Sequence, residues 1–169
     1  ALAADGKTLF TANVPVGGVS QLDLGARSFV RRIDVAPQTE GIAITPDGRE
    51  VWVGSNSGGT VSVIETASGR VSATIPDLGM PYRVTISPDG KWALVPDPEG
   101  NRVHVIEVAT RKPTGTIRGI GSPRGVDIAG DNRTAFITLG PEGEVVVADL
   151  MTRAVLARHR VGAPPDGVG

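Results

Sequence analysis

Apolar and polar positions alternate in short runs along this chain, and the runs are brief. Residues 50–55 (EVWVGS) and 60–65 (TVSVIE) set β-branched or aromatic residues against small ones with a period of two. That is the signature of a strand with one face more buried than the other. In the same stretch the pattern predicts four strands, at 40–45, 50–55, 60–65 and 70–75. Pro46-Asp47-Gly48 forms a tight hairpin between the first two. Little of the chain carries the longer helical period.

The pattern repeats. Asp followed by Gly or Asn occurs at Asp5, Asp47, Asp89 and Asp131, a step of 42 residues, and Lys7, Arg49, Lys91 and Arg133 follow two places later. A second acidic series, Asp23, Glu65, Glu107 and Asp149, keeps the same step, as do Pro81, Pro123 and Pro165. Repetition at this length marks a repeat architecture. Asn132 replaces Gly in the fourth turn, and Asn is the next best residue for a left-handed backbone. In three of the four connections between third and fourth strands, an acid stands three residues before Ser or Thr. That spacing suits a loop closed by a carboxylate.

The fold class expected is therefore all-β: four four-stranded antiparallel 42-residue repeats, each a β-propeller blade. The blades span about 1–38, 39–80, 81–122 and 123–164, and 165–169 starts the next. Further strands are expected at 8–12, 20–24 and 28–35, at 82–87, 91–95, 102–108 and 112–117, and at 125–129, 134–139, 144–150 and 153–161. Propeller rings hold about four to eight blades, and the family that the repeat resembles implies about seven, so a part of a larger propeller is the leading expectation. Closure of four blades on themselves, or pairing of two chains through their end blades, are the alternatives.

The repeat resembles the bacterial YVTN-type β-propeller repeat. The residues that carry the likeness are Gly-Ile-Ala-Ile-Thr-Pro-Asp-Gly-Arg (41–49), Val-Trp-Val-Gly-Ser (51–55) and Thr-Val-Ser-Val-Ile-Glu-Thr-Ala-Ser-Gly-Arg (60–70). The signature position reads Phe10-Thr11-Ala12-Asn13 in the first unit, and only that copy ends in the family's Asn. The likeness covers the whole chain and implies a periplasmic or extracellular location, with any signal peptide outside this sequence. Architecture is what it specifies, because one fold hosts many functions.

Composition narrows the chemistry. Net charge is −1, with 17 basic and 18 acidic residues, so no basic field awaits nucleic acid. One Tyr on a near-neutral chain also argues against a stacking platform for single strands. The chain has no Cys, hence no disulfide and no thiolate metal site. No apolar run is long enough to span a bilayer as a helix. His104 and His159 lack a Ser or Cys partner at recognisable spacing. No catalytic residue, no metal site and no cofactor is expected from this chain.

The candidate site follows from meander geometry. Successive connections alternate ends, so the first and third turns of every blade share one face and the remaining loops share the other. The first face carries the uniform residues, which suits structure. The second carries the variable ones: Glu40, Tyr82, Arg124 and Asp166, again 42 apart, open each innermost strand and ring the channel mouth. Asn13, Asn56 and Asp97 join them from the neighbouring loops. Two functional expectations remain open. One is a non-enzymatic scaffold that binds a small ligand or a protein on this face. The other is a fragment of a propeller enzyme or redox protein (quinoprotein-type, lactonase-like or haem-binding) whose catalytic residues lie outside the chain.

Overall fold

A computed structural model describes residues 1–168, and Gly169, the end of the expected fifth unit, lies outside the described residues. Fifteen strands form four antiparallel sheets, with no helix among the described residues. Blade 1 holds β1 (Thr8–Ala12), β2 (Val19–Asp23) and β3 (Ser28–Ile33). Blade 2 holds β4 (Thr39–Ile44), β5 (Glu50–Ser55), β6 (Thr60–Glu65) and β7 (Val71–Ile75). Blade 3 holds β8 (Thr85–Ile86), β9 (Trp92–Asp97), β10 (Arg102–Glu107) and β11 (Lys112–Ile117). Blade 4 holds β12 (Pro123–Ile128), β13 (Thr134–Leu139), β14 (Glu144–Asp149) and β15 (Val155–Arg160). Each sheet is a simple meander in sequence order.

Turn chemistry explains the regularity. Gly6, Gly48, Gly90 and Asn132 take φ of 65°, 71°, 72° and 58°, so the fourth turn does use Asn for the left-handed position. The Asp side chains close these hairpins: Asp47 Oδ1 accepts from Thr45 Oγ1 at 2.6 Å and from the Arg49 amide at 3.0 Å. The next turn along each blade uses Gly17, Gly59, Asn101 and Gly143, and the third uses Arg27, Gly69, Arg111 and Arg153, all at positive φ. In the third turn Ser68 Oγ donates to Glu65 at 2.8 Å and Thr110 Oγ1 to Glu107 at 2.6 Å. After this turn the outermost strand of every blade carries a bulge, with Val30, Ser72, Thr114 and Leu156 as the extra residues opposite Gln21/Leu22, Val63/Ile64, Val105/Ile106 and Val147/Ala148. An extra residue there increases the local twist of the outermost strand.

Two innermost strands are shorter than the sequence suggests. In blade 1 that strand is reduced to the bridge Leu2–Leu9, so the sheet proper has three strands. In blade 3 the expected strand at 82–87 contracts to β8. Pro96 on β9 is the reason. Its carbonyl accepts from the Tyr82 amide at 3.0 Å, but proline has no N–H to return the second bond of the pair.

The core lies between blades. Phe10, Val19 and Ile33 of blade 1 meet Val51, Val53 and Ile64 of blade 2. Trp52, Val61 and Val63 meet Ala93, Val95 and Ile106, and Leu94, Val103 and Val105 meet Ala135, Ile137 and Val146. Each large side chain so enclosed stabilises the fold by about 1.5–3 kcal/mol relative to exposure. Strand alternation sends Phe10, Trp52 and Leu94, 42 residues apart, into successive interfaces, where all three are fully buried. Phe136, next in that series, is half-buried.

Innermost strands of neighbouring blades approach closely. A Cβ on Gly41 would stand 2.3 Å from the Arg83 Cα, and one on Gly125 would stand 2.9 Å from the Gly167 Cα. Residues 166 and 167 thus sit against blade 4 where 82 and 83 sit against blade 2. That placement brings Asp166 alongside Tyr82 and Arg83.

Candidate functional site

Three of the seven expected residues converge. The Tyr82 hydroxyl donates to Asp166 Oδ1 at 3.4 Å, and the Arg124 guanidinium lies 5.0 Å from the centre of the Tyr82 ring. Each comes from a different repeat, at the same position within it. They are neighbours across blades, not along the chain.

A fourth member, Arg83, was not among the candidates. Its Nη2 donates to Asp166 Oδ2 at 3.0 Å, and its guanidinium lies 5.7 Å from the Tyr82 ring centre. Tyr82 is therefore flanked by two cations. A signal for Arg83 exists in the repeat: its register is otherwise Gly41, Gly125 and Gly167, so a long cation there breaks a small-residue series. The Arg83–Asp166 pair is 42% and 62% exposed at its side chains, so it contributes little to stability. Arg83 Nε is buried without a hydrogen-bond partner.

Arg124 makes no ion pair among the described residues, although Asp166 is nearby. Both Asp166 oxygens are engaged by Tyr82 and Arg83. The Arg124 stem runs along Gly140, where an added Cβ would stand 3.2 Å from Cγ. Beside it opens a cavity of about 300 Å³ lined by Arg124, Gly140, Pro141, Pro164, Pro165 and Asp166.

The other candidates have partners of their own. Glu40 Oε2 accepts from Asn56 Nδ2 at 2.8 Å, so these two form a pair of their own. Asn13 Nδ2 donates to Ser20 Oγ at 2.9 Å. Asp97 is enclosed. Its carboxylate accepts from the amides of Met80 and Gly100, both at 3.0 Å, and from Arg102 Nε at 2.9 Å. Burial pushes this carboxyl up, but the Met80 and Gly100 amides and the Arg102 charge together hold it below the ordinary range. His104 Nε2 stands 3.8 Å from the same carboxylate. Burial, with help from Arg102, pushes the imidazole below its usual value, against the pull of Asp97.

A larger cleft of about 420 Å³ opens on the opposite face, between blades 2 and 3, lined by Asp47, Arg49, Glu50, Asp89 and Arg111 among others. Its acids are occupied: Asp47 and Asp89 close their hairpins, and Glu50 pairs with Arg111 and accepts from Trp52 Nε1. The channel-mouth cluster is the better candidate because Arg124 has no acid of its own. Among the described residues no three His, Cys, Asp or Glu side chains gather as a metal site.

A family model described as YNCE-like beta-propeller matches residues 3–169. Among solved structures, Kuenenia stuttgartiensis hydrazine synthase is 27% identical with a TM-score of 0.88, over 93% of this chain and 47% of that one. The Myceliophteria thermophila Cps50 (Swd1) beta-propeller domain is 11% identical with a TM-score of 0.85, over 97% of this chain and 55% of that one, and that likeness shows the fold alone. The chain thus spans about half the length of these two matched structures. A search of curated proteins gives no match.

Proposed function

The chain belongs to the YNCE-like beta-propeller family, and on that premise we propose that it is a propeller scaffold that binds a small ligand or a protein partner at the channel mouth. The observation that carries this reading is the convergence of Tyr82, Arg124 and Asp166 from three repeats, with Arg83 between them. Arg124 stands on β12, and Tyr82, Arg83 and Asp166 lie on connecting segments beside the blades; polar groups gathered on a framework of this kind suit recognition better than stability. The YVTN-type identity of the repeat is the finer reading, supported by the motif residues at 41–49, 51–55 and 60–70.

A second reading has one specific observation in its favour, the 27% identity to hydrazine synthase across 93% of this chain. On it, the blades are the propeller portion of an enzyme whose catalytic groups lie outside them. A screen of small polar fragments by amide NMR separates the two faces. Shifts gathered at Tyr82, Arg83, Arg124 and Asp166 support mouth binding. Shifts gathered at Asp47, Asp89 and Asp131, or none anywhere, overturn it.

A further inference from the structure

We infer that the cavity beside Arg124 takes a small carboxylate with an apolar body, held by the Arg124 guanidinium with Tyr82 beneath it and the prolines around it. This rests on the mouth-binding reading above and gives that site its ligand chemistry.

Charge argues first. The cluster holds two guanidinium groups and one carboxylate, and Asp166 is engaged by Arg83 and by the Tyr82 hydroxyl. One positive charge, on Arg124, is left without an acid among the described residues, on a chain whose net charge is −1. The excess is local. A guanidinium fork fits a carboxylate in bidentate geometry, which a point charge does not reward to the same degree.

Preorganisation argues second. Arg124 is packed along Gly140 and stacked on the Tyr82 ring at 5.0 Å, so few rotamers need be lost on binding. The ring face is also occupied on the Arg83 side, at 5.7 Å.

Shape argues third. The cavity of about 300 Å³ is at the lower end of small-molecule sites. Pro141, Pro164 and Pro165 give it apolar walls without N–H donors, while Arg124 and Asp166 are its charged groups. An anionic head is drawn to Arg124 and repelled by Asp166. The rest of the ligand meets proline rings.

The test uses the 169-residue chain with benzoate as probe and benzamide as its neutral counterpart, followed by calorimetry and amide NMR. Benzoate is expected to bind, with shifts at Arg124, Gly140 and Asp166, and about tenfold more tightly than benzamide. Arg124→Ala should weaken benzoate at least about tenfold and leave benzamide unchanged. Asp166→Asn should tighten benzoate, because a competing negative charge is removed. Raising the salt should weaken benzoate and not benzamide. Equal binding of the two probes at the same amides would overturn the carboxylate inference and leave mouth binding standing. Shifts by neither probe, with a fragment screen that also finds nothing at the mouth, would overturn both. Benzoate binding that is indifferent to Arg124→Ala, in a variant with an unchanged melt, would overturn the assignment to Arg124.

Discussion

Asp97 Oδ2 accepts from Arg102 Nε at 2.9 Å while only 1% of the Asp97 side chain is exposed. The bond spans the β9–β10 loop, and the Met80 and Gly100 amides complete the shell of the carboxylate. A Cβ added to Gly79 or Gly100 would collide with the same carboxylate, so the surrounding loops are shaped around it. This is a clasp between the connection leading into blade 3 and the hairpin within it.

Asp97→Ala is therefore expected to destabilise the chain by about 3 kcal/mol, because Arg102 and two amides lose an acceptor that is itself almost fully buried. Denaturant unfolding measures it. A loss under about 1 kcal/mol would mean that water replaces the carboxylate readily.

Gly41 is expected to tolerate no side chain. Gly41→Ala should cost about 3 kcal/mol, since the new methyl meets the backbone of Arg83 and not a flexible side chain. The turn at Gly48 makes the contrast. Gly48→Asn should change stability by less than about 1 kcal/mol, as Asn132 fills the equivalent position at φ 58°. Gly48→Val should cost more, because a β-branched residue is strained at φ 71°. Thermal melts of the three variants order them.

Asp131 should titrate low. Thr134 Oγ1, the Thr134 amide and the Arg133 amide donate to its carboxylate and lower it from the ordinary 3.8 to about 2. The folded value is below the unfolded one, so the stabilisation is full above the unfolded pKa and is lost as pH falls from 3.8 towards about 2. Carboxyl NMR across that range should show it, and Asp131→Asn should remove that part of the acid dependence.

His104 acts in a different window. Its folded pKa is below 6.5, so as pH falls past 6.5 the unfolded chain takes up a proton that the folded chain resists. Stability should therefore decline on acidification through that region, with Asp97 and Arg102 as the charges that face the imidazole. His104→Val, the residue that Val146 supplies in blade 4, should flatten the profile. Denaturant midpoints at about pH 7.5 and about pH 5 would decide, since these straddle the ordinary imidazole range.

Mouth residues should behave oppositely to the clasp. Tyr82→Ala and Arg124→Ala are expected to shift stability by about 1 kcal/mol or less, the worth of a cation–ring contact between half-buried, partly solvated groups. A loss at Tyr82 as large as that at Asp97 would mean that the mouth cluster is structural.

What is local and periodic was legible from the residues alone. Turn residues with a left-handed backbone at one spacing, joined by alternating strands, leave an antiparallel meander as the solution, and Asn132 was legible as a turn residue for that reason. The repeat also marked Tyr82, Arg124 and Asp166 as equivalent, because equivalence is a matter of register. Which equivalents meet depends on the packing of the blades. Glu40 shares the register but pairs with Asn56, Asp97 turned inward as a clasp, and Arg83 entered the cluster from the position after Tyr82. Pro96 likewise shortened β8 through a bond that it could not return to a strand on the far side of a hairpin. A backbone turn is satisfied within a few residues, and its chemistry can be read from the chain. Tyr82 and Arg83 reach Asp166 across blades, where distance along the chain carries no information.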